Sequence, residues 1–436
     1  MWYIYLIIIL ACLAITYYYI FKKDVLSVSF LSCIIFILST LAAFISYKID
    51  ESWNYVELHQ QTAIYIVISM ICVGIGEFIV KKIICKNNKS EKKDIKFINV
   101  TNLKIIICIA FLIITFFLIY TDMCKITNTK GLSKVINAYK LNSVMYNDSD
   151  NIEQINFIYT QMYRVSIVIG IIFLYIYINN LCFNYKLKSN FKFIMPIIIS
   201  MLLSMLLGGR SAIMRFIVAA FIFFMIIYRR KRKINLLKFV RIGLMILIIV
   251  LPLFYMLLGA IGQSTQNSFV NYMTFYLGSP IPGFDEYLEN EYNKQIVSKH
   301  FGENTFVGIQ QILYKFHIID YYNIYQSEWL DFGNGLKSNV FTGIKTYFQD
   351  FGLYGIVGFQ ILFGIIYSYL YYKAKDSNYK YLIFYGLISL TLIDQFRSEK
   401  IFNSLVRIDT LVYIISIILI TWFLFNFKFE RKYSNE

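Results

Sequence analysis

Long apolar stretches, most of them bounded by short knots of lysine or arginine, run through the chain from its first residues to its last. Crossing about 30 Å of hydrocarbon takes roughly 20 residues of helix, and about eleven stretches approach that length. They fall near 2–21, 25–46, 62–80, 105–121, 160–183, 193–209, 211–227, 242–262, 351–372, 381–398 and 411–427, the sixth and the last being short. The pattern predicts an all-α polytopic integral membrane protein, with 1–436 as a single transmembrane domain of about eleven helices, within a range of ten to twelve. The first stretch starts at Trp2 with no basic segment before it and no small-residue cleavage site before Phe21, so it reads as a retained span.

Composition strengthens this reading and removes others. Of 436 residues, 58% are hydrophobic and only 16% charged, which excludes a disordered regulator, a disulfide scaffold and an ordinary soluble enzyme. The net charge of +16 would suit a nucleic-acid binder if it were clustered on a soluble face, but here the cations punctuate apolar runs. Segments 21–24, 81–104, 184–192, 228–241, 373–380 and 428–436 hold 26 of the 42 Lys and Arg in 68 residues, whereas 47–61, 122–159, 263–347 and 399–410 hold 12 in 150. By the positive-inside rule the first set is cytoplasmic, which puts the N-terminus outside and the C-terminus inside. The seven cysteines, at 12, 33, 72, 85, 108, 124 and 182, form no C-x-x-C and suggest neither a zinc site nor a disulfide framework, so they read as packing residues.

Two outer loops are long, 122–159 and 263–347, and chemistry is expected there. The larger mixes Tyr272, Phe275, Tyr276, Phe284, Tyr287, Tyr292 and Phe301 with amides and carboxylates, and its Ser279-Pro280-Ile281-Pro282-Gly283 reads as a rigid turn. Such a composition suits a folded cap with short helices on the membrane. Its aromatic faces could serve as interfacial anchors or as platforms for sugar rings.

Four basic residues remain after both sets are counted, and all are arginine: Arg164, Arg210, Arg215 and Arg397. Each falls at the outer end of a predicted span or in the tight turn joining two. An arginine at mid-span costs about 2.5–3.5 kcal/mol on insertion scales, most of it recovered where the side chain snorkels to an interface. Snorkelling accounts for Arg164 and Arg397, and Asp394 offers Arg397 an ion pair three residues away. Arg210 and Arg215 are harder to accommodate. In Leu207-Gly208-Gly209-Arg210-Ser211-Ala212 the chain is expected to turn on the glycine pair and start a new helix with Ser211 as its N-cap. Arg215 then lies a turn deeper in an apolar run, where its guanidinium needs a partner, a wet cavity or an anion. Exposed N–H groups, a helix dipole and planar guanidinium forks suit a phosphate-bearing lipid or substrate, with an internal ion-pair network as the alternative.

Other chemistries lack their residues. Glu77 and Asp394, the best carboxylates for a proton-coupled carrier, lie toward span ends. His59, His300 and His317 all fall in outer loops rather than in a span. There is no Walker loop, no G-x-G-x-x-G after a strand, no H-E-x-x-H and, on the cytoplasmic side, no D-x-D pair for a metal–nucleotide sugar. A donor already carried on a lipid fits better.

With the Gly-Gly-Arg turn, the large late loop and the run Ser338 to Gly355, the sequence resembles the Wzy-type O-antigen and capsule repeat-unit polymerases. In that run Asn339, Thr342, Tyr347, Asp350, Phe351, Gly352 and Gly355 match the family's N-x-x-T…Y-x-x-D-F-G-x-x-G pattern. The resemblance implies a metal-independent, cofactor-free glycosyltransferase with GT-C-like architecture, working at the outer face of the bacterial inner membrane in lipopolysaccharide or capsule biosynthesis. Its substrates would be undecaprenyl-diphosphate-linked oligosaccharides, the growing glycan passing to the non-reducing end of a new unit. A flippase and a chain-length regulator would be partners, and nucleic acid would not. Under this reading Arg210 and Arg215 grip the donor diphosphate while Arg164 and Arg397 complete the cluster or hold the second lipid. His300 and Glu303 are the candidate bases, and Asn339 and Asp350 are placed at the substrate, although Asp350 equally suits a helix cap. An O-antigen ligase, a lipid-linked oligosaccharide flippase and a scaffolding protein are the alternatives.

Overall fold

The computed structural model describes residues 1–49, 57–87, 97–145, 155–183, 190–231, 235–260, 268–289, 300–320, 329–333, 336–376, 378–405 and 408–426. Every apolar stretch coincides with a helix. The chain runs through α1 (Trp2–Ile20), α2 (Val28–Ile49), α3 (Gln60–Asn87), α4 (Asn102–Thr127), α5 (Leu132–Met145), α6 (Phe157–Cys182), α7 (Ile194–Lys231) and α8 (Leu236–Ala260). Then come α9 (Phe269–Gly278), α10 (Pro280–Glu289), α11 (Val307–Lys315), a minimal antiparallel pair of β1 (Leu330–Asp331) with β2 (Lys337–Ser338), α12 (Gly343–Lys375), α13 (Tyr379–Ile393), α14 (Phe402–Leu405) and α15 (Ile408–Phe425). Among the described residues eight helices are long and apolar enough to cross a membrane. The shorter apolar helices Phe191–Leu207 and Thr410–Phe425 stand where the two short stretches are predicted.

The bundle has two chemically distinct ends. At one, Lys81 donates to Ile20 O (2.8 Å), Lys192 to Val100 O (2.9 Å), Lys104 to Leu424 O (2.9 Å) and Arg230 to Ala374 O (2.7 Å). Asp24, buried in the turn after α1, ties this basic end together by accepting from Arg229, from Lys375 (2.8 Å) and from the Tyr371 hydroxyl (2.8 and 2.9 Å). Nearby, fully buried Glu77 accepts from the backbone N–H (2.8 Å) and hydroxyl of Ser29 and from Tyr372 (3.1 Å), pinning α2, α3 and α12. Among the described residues, the basic segments that the positive-inside count groups together thus converge, with charges engaged in holding helices; 428–436 lies outside them. Removing one partner of a buried ion pair costs about 3–5 kcal/mol, discounted here because the Lys375 side chain is 44% exposed. Asp24→Ala should therefore lower the unfolding temperature of the detergent-solubilised protein more than Lys375→Met does; equal shifts would show that Arg229 gains nothing from Asp24.

The opposite end carries the cap. Here α9 and α10 pack on α2, with Gly278 against the Ala42–Ala43 backbone and Ser39 donating to Leu277 O (2.8 Å). The run Ser279–Gly283 is not the rigid turn expected from its prolines. Ser279 is helical, Gly283 N–H bonds back to Ser279 O (2.9 Å), and Pro280 and Pro282 occupy the first turn of α10, where a missing N–H leaves no bond unmade.

α7 spans 38 residues of helical backbone, yet it cannot be a straight rod. A Cβ on Gly170 of α6 would collide with both Ser200 and Phe216, which a straight helix would hold about 24 Å apart. Phe193 packs on Phe173 (6.2 Å between centroids) and Phe223 on Tyr175 (5.8 Å), two residues along the same helix. The segment is therefore a tight hairpin that reverses near Gly208-Gly209, as the glycine pair suggests. Beyond the reversal, Ser211–Arg230 forms a span-length arm of its own.

A second reversal of direction occurs in α12. Gly352 has φ 60° and ψ −148°, so a short arm over 343–351 is broken from the long arm that follows. Only glycine occupies that region without strain. The predicted span at 351–372 begins at this break.

Candidate functional site

The hairpin end of α7 is built from apolar residues with a polar seam. Ile119 and Met123 of α4, Val135 and Ile136 of α5, Ile155, Leu203 and Leu206 form a small separate core beneath it. Along the α6–α7 seam Ser200 donates to Ser166 O (2.6 Å) and Tyr163 to Ser204 O (3.1 Å), fixing the ascending arm against α6. The contact of Gly170 with Phe216 then sets the depth of the descending arm. Arg164 lies six residues from Gly170 toward the hairpin tip, and Arg210 six residues from Phe216 in the same direction, so the backbones of Arg164 and Arg210 share one level. The Arg210 side chain lies outside the described residues. Arg164 is half-buried and donates to Gln161 Oε1 (2.8 Å).

Arg215 is half-buried beside Phe216 and has no hydrogen bond or ion pair among the described residues. It lies about level with the end of α13, four residues before Arg397. α13 runs antiparallel to the descending arm, since Gly386 abuts Phe223 while Ala374, at the end of α12 just before α13 begins, receives the hydrogen bond of Arg230. Seven residues beyond Gly386, α13 ends at Ile393; seven residues before Phe223 is Phe216. The internal pair expected for Arg397 is weak. Its Nη1 stands 4.0 Å from Asp394, whose carboxylate is taken by Lys400 at 2.5 Å. The guanidinium instead lies over the Tyr276 ring (4.3 Å), and its buried Nε has no acceptor among the described residues. The structure thus brings Arg164, Arg215 and Arg397 to one end of the bundle in neighbouring layers, two of them with unspent donors.

The other residues singled out by sequence lie in the cap. Asp350 accepts from Asn304 N (3.0 Å) and Nδ2 (2.8 Å) and from Thr305 N (2.6 Å), so it anchors the 300–306 loop to α12 just before the Gly352 break. His300 is exposed, and its N–H approaches Glu303 Oε2 at 3.4 Å within the turn that Gly302 closes at φ 64°. Asn339 is half-buried in the strand-to-helix connection. Glu399, absent from the sequence argument, receives the Tyr347 hydroxyl (3.2 Å) and the N–H groups of Ile401, Phe402 and Asn403, and so shapes the turn that follows Arg397.

A pairing with no local sequence signal lies at the same end. Asp285 of α10 is buried and accepts from the Thr62 hydroxyl, from His59 N (3.1 Å) and at 2.9 Å from His59 Nδ1. His59 Nε2 is 3.8 Å from Glu289, beyond hydrogen-bond range, and the imidazole is 44% exposed. Burial works against the imidazolium, but the hydrogen bond and charge of Asp285, with Glu289 and Glu286, outweigh it and raise the His59 pKa above the usual histidine value.

Unspent guanidinium donors suit phosphate oxygens, and a carboxylate-oriented imidazole suits proton transfer. Comparison with known proteins bears on which chemistry they serve. The family profile described as O-antigen polysaccharide polymerase Wzy matches residues 1–268, a region that includes His59, Arg164 and the whole α7 hairpin and ends before the cap helices. No curated protein and no solved structure matches the chain. With more than half of its length covered by that profile and an apolar helical bundle to carry it, the chain belongs to the O-antigen polysaccharide polymerase Wzy family.

Proposed function

We propose that this multi-pass bacterial membrane protein, an O-antigen repeat-unit polymerase by family, works on oligosaccharides carried by undecaprenyl diphosphate at the end of the bundle opposite the basic one. Positive-inside bias supports assigning that end to the outer face of the inner membrane. The growing glycan leaves its lipid diphosphate and joins the non-reducing end of a newly delivered unit. The observation that carries this reading is the pair of unspent arginines, Arg215 and Arg397, at the same end of the bundle. A leaving diphosphate gains negative charge in the transition state, and fixed guanidiniums in a water-poor site stabilise that charge more than water does. Arg210 and Arg215 hold the donor diphosphate, and Arg164 and Arg397 the second lipid. Asn339 and Asp350 shape the cap above it, and His300 with Glu303 provide one candidate base. The fold is GT-C-like in this reading, the loops 122–159 and 263–347 being extracytoplasmic.

Reconstitution of the purified protein in liposomes with lipid-linked repeat units, extracted from host cells lacking the polymerase, tests the proposal. Glycan ladders and free undecaprenyl diphosphate should appear together, without added metal or nucleotide. Transfer to a lipid A core with no ladder would mark a ligase, and movement of intact lipid between leaflets without bond formation would mark a flippase.

A further inference from the structure

We infer that His59, held by Asp285 and Thr62, is the general base that takes the proton from the acceptor hydroxyl. The inference rests on the polymerase reading and goes beyond it by naming the acceptor-activating group. Asp285 engages His59 twice, at backbone N–H and at Nδ1, while Thr62 locks the carboxylate from the first turn of α3. An acceptor at Nδ1 keeps the proton on that nitrogen and turns the Nε2 lone pair outward. Nε2 stands too far from Glu289 for a direct hydrogen bond, and with the imidazole 44% exposed its edge is open to an approaching hydroxyl.

The location agrees with the chemistry. Asp285 of α10 and Tyr276 of α9, which carries the Arg397 guanidinium on its ring, lie nine residues apart along two helices joined through helical Ser279. At most about 14 Å of helix separates them. That interval suits a diphosphate and the sugar ring attached to it, with the anomeric carbon facing the imidazole. In the step, the acceptor O–H proton passes to His59 Nε2 as the oxygen bonds to the donor's anomeric carbon. The bond from that carbon to the diphosphate oxygen breaks, and the diphosphate departs with the electron pair toward the arginines. Asp285 is a positioning residue, since it acts through the imidazole.

Among the described residues, the charged and titratable groups around His59 are Asp285, Glu286 and Glu289 on α10, Glu57 on its own segment, engaged by the N-terminal ammonium (3.1 Å), and Tyr3 of α1, which interacts with Asp285. All three α10 carboxylates favour the imidazolium, so the base is spent as pH falls. Reconstituted wild-type protein supplied with extracted lipid-linked repeat units should show kcat declining on the acid side. In His59→Gln, whose amide can still reach Asp285, kcat should drop by about 10²–10⁴-fold and the acid limb should vanish. Asp285→Asn should move the limb to lower pH with KM nearly unchanged.

Failure of the wild type to polymerise would sink the polymerase reading itself. Polymerisation by the wild type together with an unchanged kcat or an intact acid limb in folded His59→Gln would overturn only the assignment of the base. Loss of the limb in His300→Ala instead would move the role to the 300–303 turn.

Discussion

Arg215→Ala should reduce surface polysaccharide from a ladder to a single repeat unit capped on the acceptor glycan, while the protein remains inserted at normal abundance. Removing one preorganised group that stabilises developing negative charge costs about 10²–10³-fold in kcat, or about 2.7–4 kcal/mol. In a processive reaction that loss is enough to end the ladder at its first rung. The loss should not come from misfolding, because Arg215 forms no ion pair or hydrogen bond among the described residues, and alanine raises helix propensity at that position. Arg215→Lys separates fork from charge: lysine binds phosphate as a point charge and should restore only part of the rate. Arg397→Ala should do less harm than Arg215→Ala, since part of the Arg397 charge already faces Asp394 and Tyr276. Gel profiles of surface glycan alongside quantified membrane protein decide the matter. A wild-type ladder from Arg215→Ala would remove the diphosphate role, and a ladder from Arg215→Lys equal to wild type would leave a site that reads charge alone.

The parts of this architecture visible in the sequence are those coded locally. Apolar runs of span length give α1, α2 and α6 within three residues and α3, α4 and α8 within seven, because hydrocarbon thickness sets both the run and the helix. Gly208-Gly209 marks the α7 reversal for a similar reason, and the arginines stand out because they are the cations that the positive-inside count leaves over. Proline misled: in Ser279–Gly283 the same residue that ends a helix also opens one, and the spacing does not say which. Pairings between distant segments leave no local trace. Asp24 meets Lys375 across 351 positions and His59 meets Asp285 across 226, and nothing beside either residue names its distant partner. The Asp394–Arg397 spacing fits a helical ion pair, but Lys400 reaches the carboxylate first once the chain leaves α13. Sequence offered the cations of the candidate site, and three-dimensional packing supplied the imidazole proposed as its base.

Gly364→Leu should prevent the bundle from forming, and Gly76→Leu should do the same. The two glycines sit in one seam. A Cβ on Gly364 would run into Val73 O of α3, and a Cβ on Gly76 would run into Ile361 O and approach Ile365 N of α12. The neighbours are backbone atoms, which cannot rotate aside as a side chain can. Small residues of this kind let membrane helices pack backbone to backbone, where dispersion is the main attraction. Overpacking a well-filled interior costs about 1–3 kcal/mol where side chains can adjust, and two rigid backbones put these sites at or above that range. The seam also sets geometry, because α3 carries His59 and Thr62 at its start and α12 carries Glu77's partner Tyr372 near its end. A milder Gly364→Ala should therefore lower the unfolding temperature and loosen the Asp285 contact together. Gly358, on the same helix, has nothing within 4 Å of its would-be Cβ, so Gly358→Ala should be neutral or stabilising by up to about 1 kcal/mol through helix propensity. Size-exclusion profiles and thermal unfolding in one detergent compare the four variants. Equal behaviour of Gly364→Ala and Gly358→Ala would mean that α3 and α12 do not meet backbone to backbone, and the placement of His59 at the cap would lose its support.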